Sequence, residues 1–295
     1  MESRNVEFVT KNLLAGGIAG MISKTTVAPL DRVKILLQAH NKHHVRHGVF
    51  QGLIHIVKTE SPWALYKGNG AQMVRIFPYA AAQFTSFEMY KRYLEGVFGK
   101  TSHFDKFIAG ACAGLTAVAL TYPLDTIRAR LAFQISGEHV YTGIAHAAIT
   151  IFKEEGGARA LYRGFIPTLM GMVPYAGLSF YSFEYLKYGC MKYLPGLTCR
   201  KFEKNTGAIA QSVSYPLDVT RRRMQLALMN PDTKHFAKGM ISTLSHIYNE
   251  YGVIKGLYRG MSINYMRAIP MVAVSFSTYE LCKQLLELDT GLQVS

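Results

Sequence analysis

The sequence has few cysteines, and their spacing excludes two common roles for that residue. The 295-residue chain carries four, at Cys112, Cys190, Cys199 and Cys282. None of them forms a Cys-x-x-Cys pair. The cysteines therefore predict neither a zinc site nor a disulfide framework.

Acidic residues are scarce relative to basic ones. The chain has 19 Asp and Glu residues against 33 Lys and Arg, which gives a formal charge of +14. Such a surplus suggests an anionic partner, either nucleic acid, anionic lipid or a phosphorylated solute. The basic residues are scattered and recur with the repeat described below, so we predict no nucleic-acid partner.

The N-terminal segment lacks the usual targeting signals. Residues 1–14 contain neither an uninterrupted apolar run of the secretory kind nor a long Arg-rich transit helix. We therefore expect the targeting information of an organellar protein to be internal. Apolar residues make up 49% of the chain and the mean hydropathy is +0.08, which are modest values that suit amphipathic spans around a polar cavity.

Three motifs recur three times in a fixed order. Pro-Leu-Asp-x-x-basic begins at Pro29, Pro123 and Pro216, at intervals of 94 and 93 residues. Tyr-basic-Gly and aromatic-Glu-x-x-Lys each recur at intervals of 96 and 96 residues, and they begin at Tyr66, Tyr162 and Tyr258 and at Phe87, Phe183 and Tyr279. Chance does not produce such a register, so the chain is built from three repeats.

Each repeat offers two candidate membrane helices. Twenty residues separate the glycine of Tyr-basic-Gly from the glutamate of the third motif, and a helix of that length covers about 30 Å, the thickness of a bilayer core. The other candidate precedes each Pro-Leu-Asp, and its glycines four residues apart in the first two repeats favour close helix packing in lipid. Small-residue packing in a soluble core is the alternative. We place the repeats at residues 8–97, 102–193 and 200–289.

These motifs resemble those of the mitochondrial carrier family over nearly the whole chain. The resemblance implies an all-α membrane protein with six transmembrane helices in a threefold pseudo-symmetric barrel. It also implies short matrix helices, which we place near residues 49–59, 142–155 and 235–250. A multi-pass monomer of the mitochondrial inner membrane, with a central substrate site and no cofactor, is therefore expected.

The resemblance also implies two rings of ion pairs that close the substrate site in turn. A proline kinks its helix, and an acid and a base three residues apart then face one axis. The expected matrix-side pairs are Asp31 with Arg128, Asp125 with Arg221 and Asp218 with Lys34, with Gln38 and Gln225 matching the family's glutamine brace. The expected cytoplasmic ring is Glu88, Lys91, Glu184, Lys187, Glu280 and Lys283. Solvated ion pairs at helix ends are the alternative.

Five residues are the predicted substrate contacts. Nine residues after the tyrosines of Tyr-basic-Gly come Arg75, Gly171 and Arg267, and Met172 follows Gly171. This set resembles that of the adenine-nucleotide carriers, in which the glycine leaves room for a flat base and the arginines hold phosphates with paired donors. Lys24 matches a further basic residue of those carriers. Structural pairing with acids is the alternative for both arginines.

Longer stretches resemble the coenzyme A carrier subgroup of the family. They include residues 24–34, 66–71, 75–79 and 218–225. The predicted solute is therefore coenzyme A or a related adenine nucleotide, adenosine 3′,5′-bisphosphate. An ADP/ATP-type or other nucleotide carrier is one alternative, and a truncated carrier that does not transport is another.

The third repeat departs from the pattern at its start. Glu203 stands thirteen residues before its proline, where the first two repeats have Gly16 and Gly110. The uncharged run at 205–217 has 13 residues, short of the roughly 20 that a span needs. We predict that helix five is truncated, as in a splice form or gene model that lacks part of an exon. A genuine short helix with a polar end is the alternative.

The remaining signals are weaker. His40, His43, His44 and His47 have no acidic or cysteine partner among them, so we predict a basic loop and no metal site. No arrangement of nucleophile and base stands out, so we do not expect an enzyme. The glycines of the three Tyr-basic-Gly motifs are predicted contacts for cardiolipin-type lipid, because free N–H groups at helix ends attract phosphate; they are Gly68, Gly164 and Gly260.

Overall fold

The computed structural model describes residues 2–39, 48–99, 103–134, 141–172, 174–175, 200–229 and 231–286. These residues form helices and turns, and no strand occurs among them. The α-helices are α1 (Glu2–Gln38), α2 (Val49–Thr59), α3 (Asn69–Phe98), α4 (His103–Phe133), α5 (Ile144–Glu154), α6 (Ala158–Leu161), α7 (165–172), α8 (Arg200–Gln225), α9 (Met240–Tyr251) and α10 (Met261–Leu285). The all-α prediction is confirmed for this part of the chain.

The long helices carry the repeated prolines in their interiors. Pro29 lies inside α1, Pro123 inside α4 and Pro216 inside α8. In two helices that follow Tyr-basic-Gly motifs, Pro78 lies inside α3 and Pro270 inside α10. A proline inside a helix removes one backbone donor. Each helix nevertheless continues for at least nine residues beyond its proline, so the charged motifs stay on regular helical faces.

Helix length is compatible with membrane crossing. The 30 residues of α3 and the 25 of α10 extend about 45 and about 38 Å, more than the hydrocarbon thickness of a bilayer. Within the described ranges, only the 26-residue segment Ile108–Phe133 combines sufficient length with sufficient apolarity for a membrane span. The number of spans and their arrangement as a barrel remain predictions.

The chain divides into two compact units. The first comprises Met1–Val33, His47–Thr150 and Met266–Ser295, and α3 packs against α4 within it. Alanines four residues apart on α4 are fully buried there, whereas Leu120 on the other face is 64% exposed. Small residues at helix contacts and large apolar residues on the outside are the pattern that lipid favours.

The second unit comprises Lys34–Arg46 and Ile151–Tyr265. Its core is aromatic and aliphatic, and it collects side chains from α8, from the 3₁₀ turn Pro231–Ala237 and from α9. The residues of this core are Tyr215, Val219, Ala227, Phe236, Ile247 and Leu257. The three short helices predicted from the sequence are present as α2, α5 and α9.

Helix α8 corresponds to the fifth of the six predicted membrane helices, the one that contains Pro216. It is continuous from Arg200 to Gln225, and 16 of its residues precede the proline, against 20 in α4 and 27 in α1. The polar stretch at 200–206 is therefore helical, which is the form expected for a short helix with a polar end. Whether the missing length reflects a splice form or gene model stays a prediction.

Candidate functional site

Asp31 is the centre of a charge cluster in the first unit. Its side chain is 6% exposed, and it accepts hydrogen bonds from Arg128 Nη2 at 2.6 Å and from Arg267 Nη1 at 2.5 Å. Each carboxylate oxygen has its own guanidinium donor, so both bonds are charge-assisted. One side chain thereby connects α1, α4 and α10.

Lys24 belongs to the same cluster. It precedes Asp31 by seven residues on α1, which places both side chains on one helical face two turns apart. Its Nζ donates to Met271 Sδ at 3.4 Å, and the hydroxyl of the adjacent Ser23 donates to the Met271 carbonyl at 3.0 Å. These contacts attach α1 to α10 one turn beyond Arg267.

Arg75 makes a second ion pair of the same kind. Its Nη1 lies 2.9 Å from Asp125 Oδ1, and the side chain of Asp125 is 6% exposed. Arg75 Nε also donates to Thr121 Oγ1 at 3.2 Å, and the guanidinium lies 5.1 Å from the centre of the Tyr79 ring. Contacts on three sides hold this arginine in one orientation.

Both predicted substrate arginines are thus paired with aspartates of the proline motif. Arg75 contacts Asp125 and Arg267 contacts Asp31. This is the structural pairing that the sequence left open as an alternative to phosphate binding. An arginine has five N–H donors, so pairing with an aspartate in this structure does not decide between the two interpretations.

Gly171 and Met172 belong to the second unit. Both are half-buried residues of α7. A Cβ atom added to Gly171 would lie 3.5 Å from Leu217 Cβ, so this glycine faces the proline motif of α8. The role of both residues as substrate contacts stays a prediction.

Two further residues of the predicted matrix gate have partners within the second unit. Asp218 accepts a hydrogen bond from Gln211 Nε2 at 3.0 Å. Lys34 Nζ lies 5.5 Å from the centre of the Tyr215 ring. The structure brings Asp31 and Arg128 together as the family resemblance implies, whereas the pairs Asp125 with Arg221 and Asp218 with Lys34 stay predictions.

The two glutamines predicted as braces are both buried. Gln38 Nε2 donates to Tyr215 Oη at 3.1 Å, and Tyr215 Oη donates to the Arg259 carbonyl at 2.9 Å. Gln225 accepts a hydrogen bond from Arg222 Nη1 at 2.9 Å. Gln38 therefore connects the end of α1 to α8 and to the turn before α10.

The predicted cytoplasmic gate is more open to solvent. Glu88 is exposed on α3, and Lys91 is half-buried one turn later. Lys283 Nζ lies 3.9 Å from Glu280 Oε1 of its own helix, with the glutamate side chain 37% exposed. Glu184 and Lys187 lie outside the described residues.

The glycines of the Tyr-basic-Gly motifs share one backbone conformation. Gly68, Gly164 and Gly260 have φ values of 83°, 87° and 82°, in the left-handed region that favours glycine. Beside Gly68 is a cavity of about 490 Å³, which Lys67 and the segment 141–144 also line. A basic side chain and the N-terminal ends of α3 and α5 suit a phosphate-bearing lipid headgroup.

Sequence reasoning missed the role of Arg32. This buried arginine donates to both Glu60 oxygens at 2.9 and 3.0 Å, and also to the carbonyls of Ala64, Ala132 and Gln134. Burial alone would raise the pKa of Glu60, but hydrogen bonds from Lys67 and Arg32 hold that pKa below its ordinary value.

The sequence gives only an indirect signal for this arginine. The second and third repeats have Arg130 and Arg223 seven residues after their prolines, whereas the first repeat has Leu36 there. Arg32 stands one helical turn earlier on α1 and supplies a buried guanidinium to the first repeat.

Comparison with known proteins identifies the family. The family model described as mitochondrial carrier protein matches residues 5–98, 99–194 and 205–290, which together are most of the chain. Solute carrier family 25 member 16 of Bos taurus is 51% identical over 297 residues, covering 95% of this chain and 89% of the relative. The same protein of Homo sapiens is 50% identical over 296 residues, with coverage of 95% and 89%.

A second group of relatives has a more specific name. The mitochondrial coenzyme A transporter of Homo sapiens is 42% identical over 287 residues, covering 94% of this chain and 88% of the relative. The resemblance to the carrier family and to its coenzyme A subgroup is thereby confirmed. The chain belongs to the mitochondrial carrier family, and it is a multi-pass transport protein of the mitochondrial inner membrane.

Proposed function

We propose that this carrier transports coenzyme A or adenosine 3′,5′-bisphosphate by alternating access. The observation that carries the proposal is the cluster of Lys24, Arg75 and Arg267 beside two buried aspartates. The relatives named as mitochondrial coenzyme A transporters support the same solute class. Several phosphates on one solute match several cations within one unit.

The geometry supports an exchange of partners during transport. Arg75 and Arg267 each hold an aspartate, and removing that aspartate without replacement would leave a poorly solvated charge. A solute phosphate offers the same guanidinium a bidentate partner, so the ion pair can be replaced rather than lost. Solute binding would in this way free Asp31 and Asp125 and loosen the contacts between α1, α3, α4 and α10.

The gating roles follow from this exchange. We propose that the contact of Asp31 with Arg128 closes the matrix side, together with the pairs Asp125 with Arg221 and Asp218 with Lys34. The exposed Glu88 and Glu280 would pair only after rearrangement of the six spans within the proposed barrel.

Lipid supports the same architecture in our proposal. Cardiolipin-type lipid would bind beside Gly68 in the cavity shared with residues 141–144, and at the equivalent Gly164 and Gly260. Such lipid would connect neighbouring repeats of a monomer. The proposed repeats span residues 8–97, 102–193 and 200–289.

Exchange assays in proteoliposomes test the solute. Purified carrier should exchange labelled coenzyme A or adenosine 3′,5′-bisphosphate for the same internal solute, and excess unlabelled ADP should compete weakly. Stronger competition by ADP than by coenzyme A would favour the alternative of an ADP/ATP-type carrier. Exchange of a non-nucleotide anion alone would refute both assignments.

The sequence before Pro216 favours one further alternative, a carrier that does not transport. Glu203 stands thirteen residues before this proline, where the first two repeats have glycine, and the uncharged run at 205–217 has 13 residues. A chain with an apolar, glycine-containing segment inserted before Gly207 provides the test. Transport that appears only after the insertion would support this alternative, and equal transport by both chains would remove it.

A further inference from the structure

Three potential metal ligands that have no proposed role in transport meet in the second unit. His235, His246 and Glu250 each offer one ligand atom, and these atoms lie within 4.8 Å of one another. We propose that this cluster binds a zinc ion, which cross-links the turn after α8 to helix α9.

Two of the ligands come from one face of α9. His246 and Glu250 are four residues apart, and His246 Nε2 lies 3.1 Å from Glu250 Oε2. Ligand atoms about 2.0–2.1 Å from a tetrahedral zinc ion lie roughly 3.3 Å from each other. This pair therefore already has the separation that a shared zinc ion needs.

The third ligand is held in place by its neighbours. The His235 ring lies 4.0 Å from the His246 ring, centre to centre, at an interplanar angle of 76°. Next to it, Phe236 is buried in the core, and its carbonyl accepts a hydrogen bond from Thr243 Oγ1 at 3.1 Å. Thr233 Oγ1 donates to the Ala227 carbonyl at 2.9 Å. The turn that presents His235 is thus fixed on both sides, which lowers the cost of ordering a ligand.

The chemistry of the donors selects the ion. Two imidazole nitrogens and one carboxylate form a common zinc ligand set, whereas Mg²⁺ and Ca²⁺ prefer oxygen ligands. His246 and Glu250 side chains are 40% and 45% exposed, so an ion can enter and water can complete its coordination.

Positive charge near the cluster limits its affinity. Arg223 lies over the Phe236 and Tyr251 rings, at 5.3 and 4.6 Å from their centres, and Lys238 follows His235 by three residues. Glu250 is the acidic member of the cluster, so we expect it to be as important as either histidine. The sequence predicted no metal site, because eleven residues separate the two histidines and no motif spacing connects them.

The test measures zinc binding by the full-length carrier in detergent, purified without a histidine tag. All samples carry His40→Gln, His43→Gln, His44→Gln and His47→Gln, because four histidines in one segment can bind zinc separately. This parent should bind one zinc ion saturably by calorimetry. His235→Gln and His246→Gln should each weaken binding at least tenfold, while His55→Gln, on the short helix α2 of the first repeat, should leave it unchanged.

Thermal unfolding separates ligand loss from misfolding. Without zinc, the parent and His235→Gln should unfold at the same temperature, and zinc should raise the midpoint of the parent by several degrees but not that of the variant. Mg²⁺ at the same concentration should have no effect. If His246→Gln does not fold, Glu250→Gln gives the same comparison. A parent without saturable zinc binding, or variants that bind as the parent does, would overturn the proposal.

Discussion

Two sets of charged residues in the first unit have similar spacing but different surroundings. The aspartate end comprises Asp31, Asp125 and the arginines that contact them, and its carboxylates lie 2.5–2.9 Å from guanidinium nitrogens and are 6% exposed. The glutamate end comprises Glu88, Lys91, Glu280 and Lys283, where the pair within α10 is separated by 3.9 Å and partly solvated. Buried charges depend on their partners, whereas exposed pairs contribute little to stability. A shared motif spacing therefore does not give a shared energetic role.

The difference indicates which ion pairs contribute most to the stability of the folded protein. At the aspartate end, removing one member of an ion pair leaves the other member buried, with neither a counter-charge nor water to stabilise it. At the glutamate end, water replaces a lost partner. Under our gating proposal, each end is closed and buried in one state and open to water in the other. Variants at the two ends should therefore differ in stability and in transport.

The largest effect is expected beside the aspartate end, at Arg32. The variant Arg32→Met removes one of the two cations that contact the buried Glu60 carboxylate, and it should lower the free energy of unfolding by about 3–5 kcal/mol. Thermal unfolding in detergent measures this loss. The double variant Arg32→Met/Glu60→Met should recover much of it, because the buried carboxylate is then removed as well and water can solvate the partly exposed Lys67. A single-variant loss below about 1 kcal/mol would contradict a buried role for this pair.

The next effect concerns transport. Arg267→Ala removes the donor to Asp31 and, under our proposal, a phosphate contact, so exchange of coenzyme A should fall by about 10–100-fold, as expected for a charged hydrogen bond of about 1.5–3 kcal/mol. Arg267→Lys should retain part of the activity, since it keeps the charge but not the paired donors. Arg92→Ala, an exposed position near the glutamate end of α3, is the control and should transport normally. Normal exchange by Arg267→Ala would separate this arginine from the solute.

The periodic features of the site could be predicted from the sequence. Pro29 and Pro123 fix the register of α1 and α4, and the resemblance to the carrier family then implies the contact between Asp31 and Arg128. Spacing cannot show which of two anionic partners an arginine holds in a given state, so the contact between Arg267 and Asp31 had to come from the structure.

Features without a repeat could not be found in this way. Arg32 has no counterpart in the other repeats, and the pattern seven residues after each proline directs attention to Leu36 instead. His235 and His246 are brought together by the turn after α8, whose path no local spacing encodes. Long-range packing decides both cases.

A smaller effect is expected at Gly68, which supports the aspartate end through α4. Its φ of +83° strains an L-residue, and an added Cβ atom would lie 2.8 Å from the Arg128 carbonyl. Gly68→Ala should therefore lower the free energy of unfolding by about 1–2 kcal/mol, with additional loss from the contact with α4. Gly70→Ala is a matched control in the same helix, because its nearest added contact is 4.0 Å away and alanine favours helix. Equal stability of the two variants would contradict the proposed strain.

The pH dependence of stability should reveal Glu60. Its pKa is held below the ordinary value of 4.5, so the carboxylate stabilises the folded state above that pH, and the contribution is lost as the pH falls through the lower folded pKa. The unfolding temperature of the unmodified protein should thus decrease more steeply below pH 4.5 than that of Glu60→Gln. Parallel curves for the two proteins would show that Glu60 does not titrate differently on folding.

The smallest change in stability is expected at the glutamate end, and it sharpens the comparison most. Glu280→Gln removes a partly solvated partner of Lys283 at 3.9 Å, so the free energy of unfolding should change by less than about 0.5 kcal/mol. If this glutamate closes the opposite gate, the same variant should slow exchange several-fold, because the interaction forms only in the other state. Unchanged stability with slower exchange would separate gating from folding. A stability loss comparable to that of Arg32→Met would instead show that the two ends do not differ.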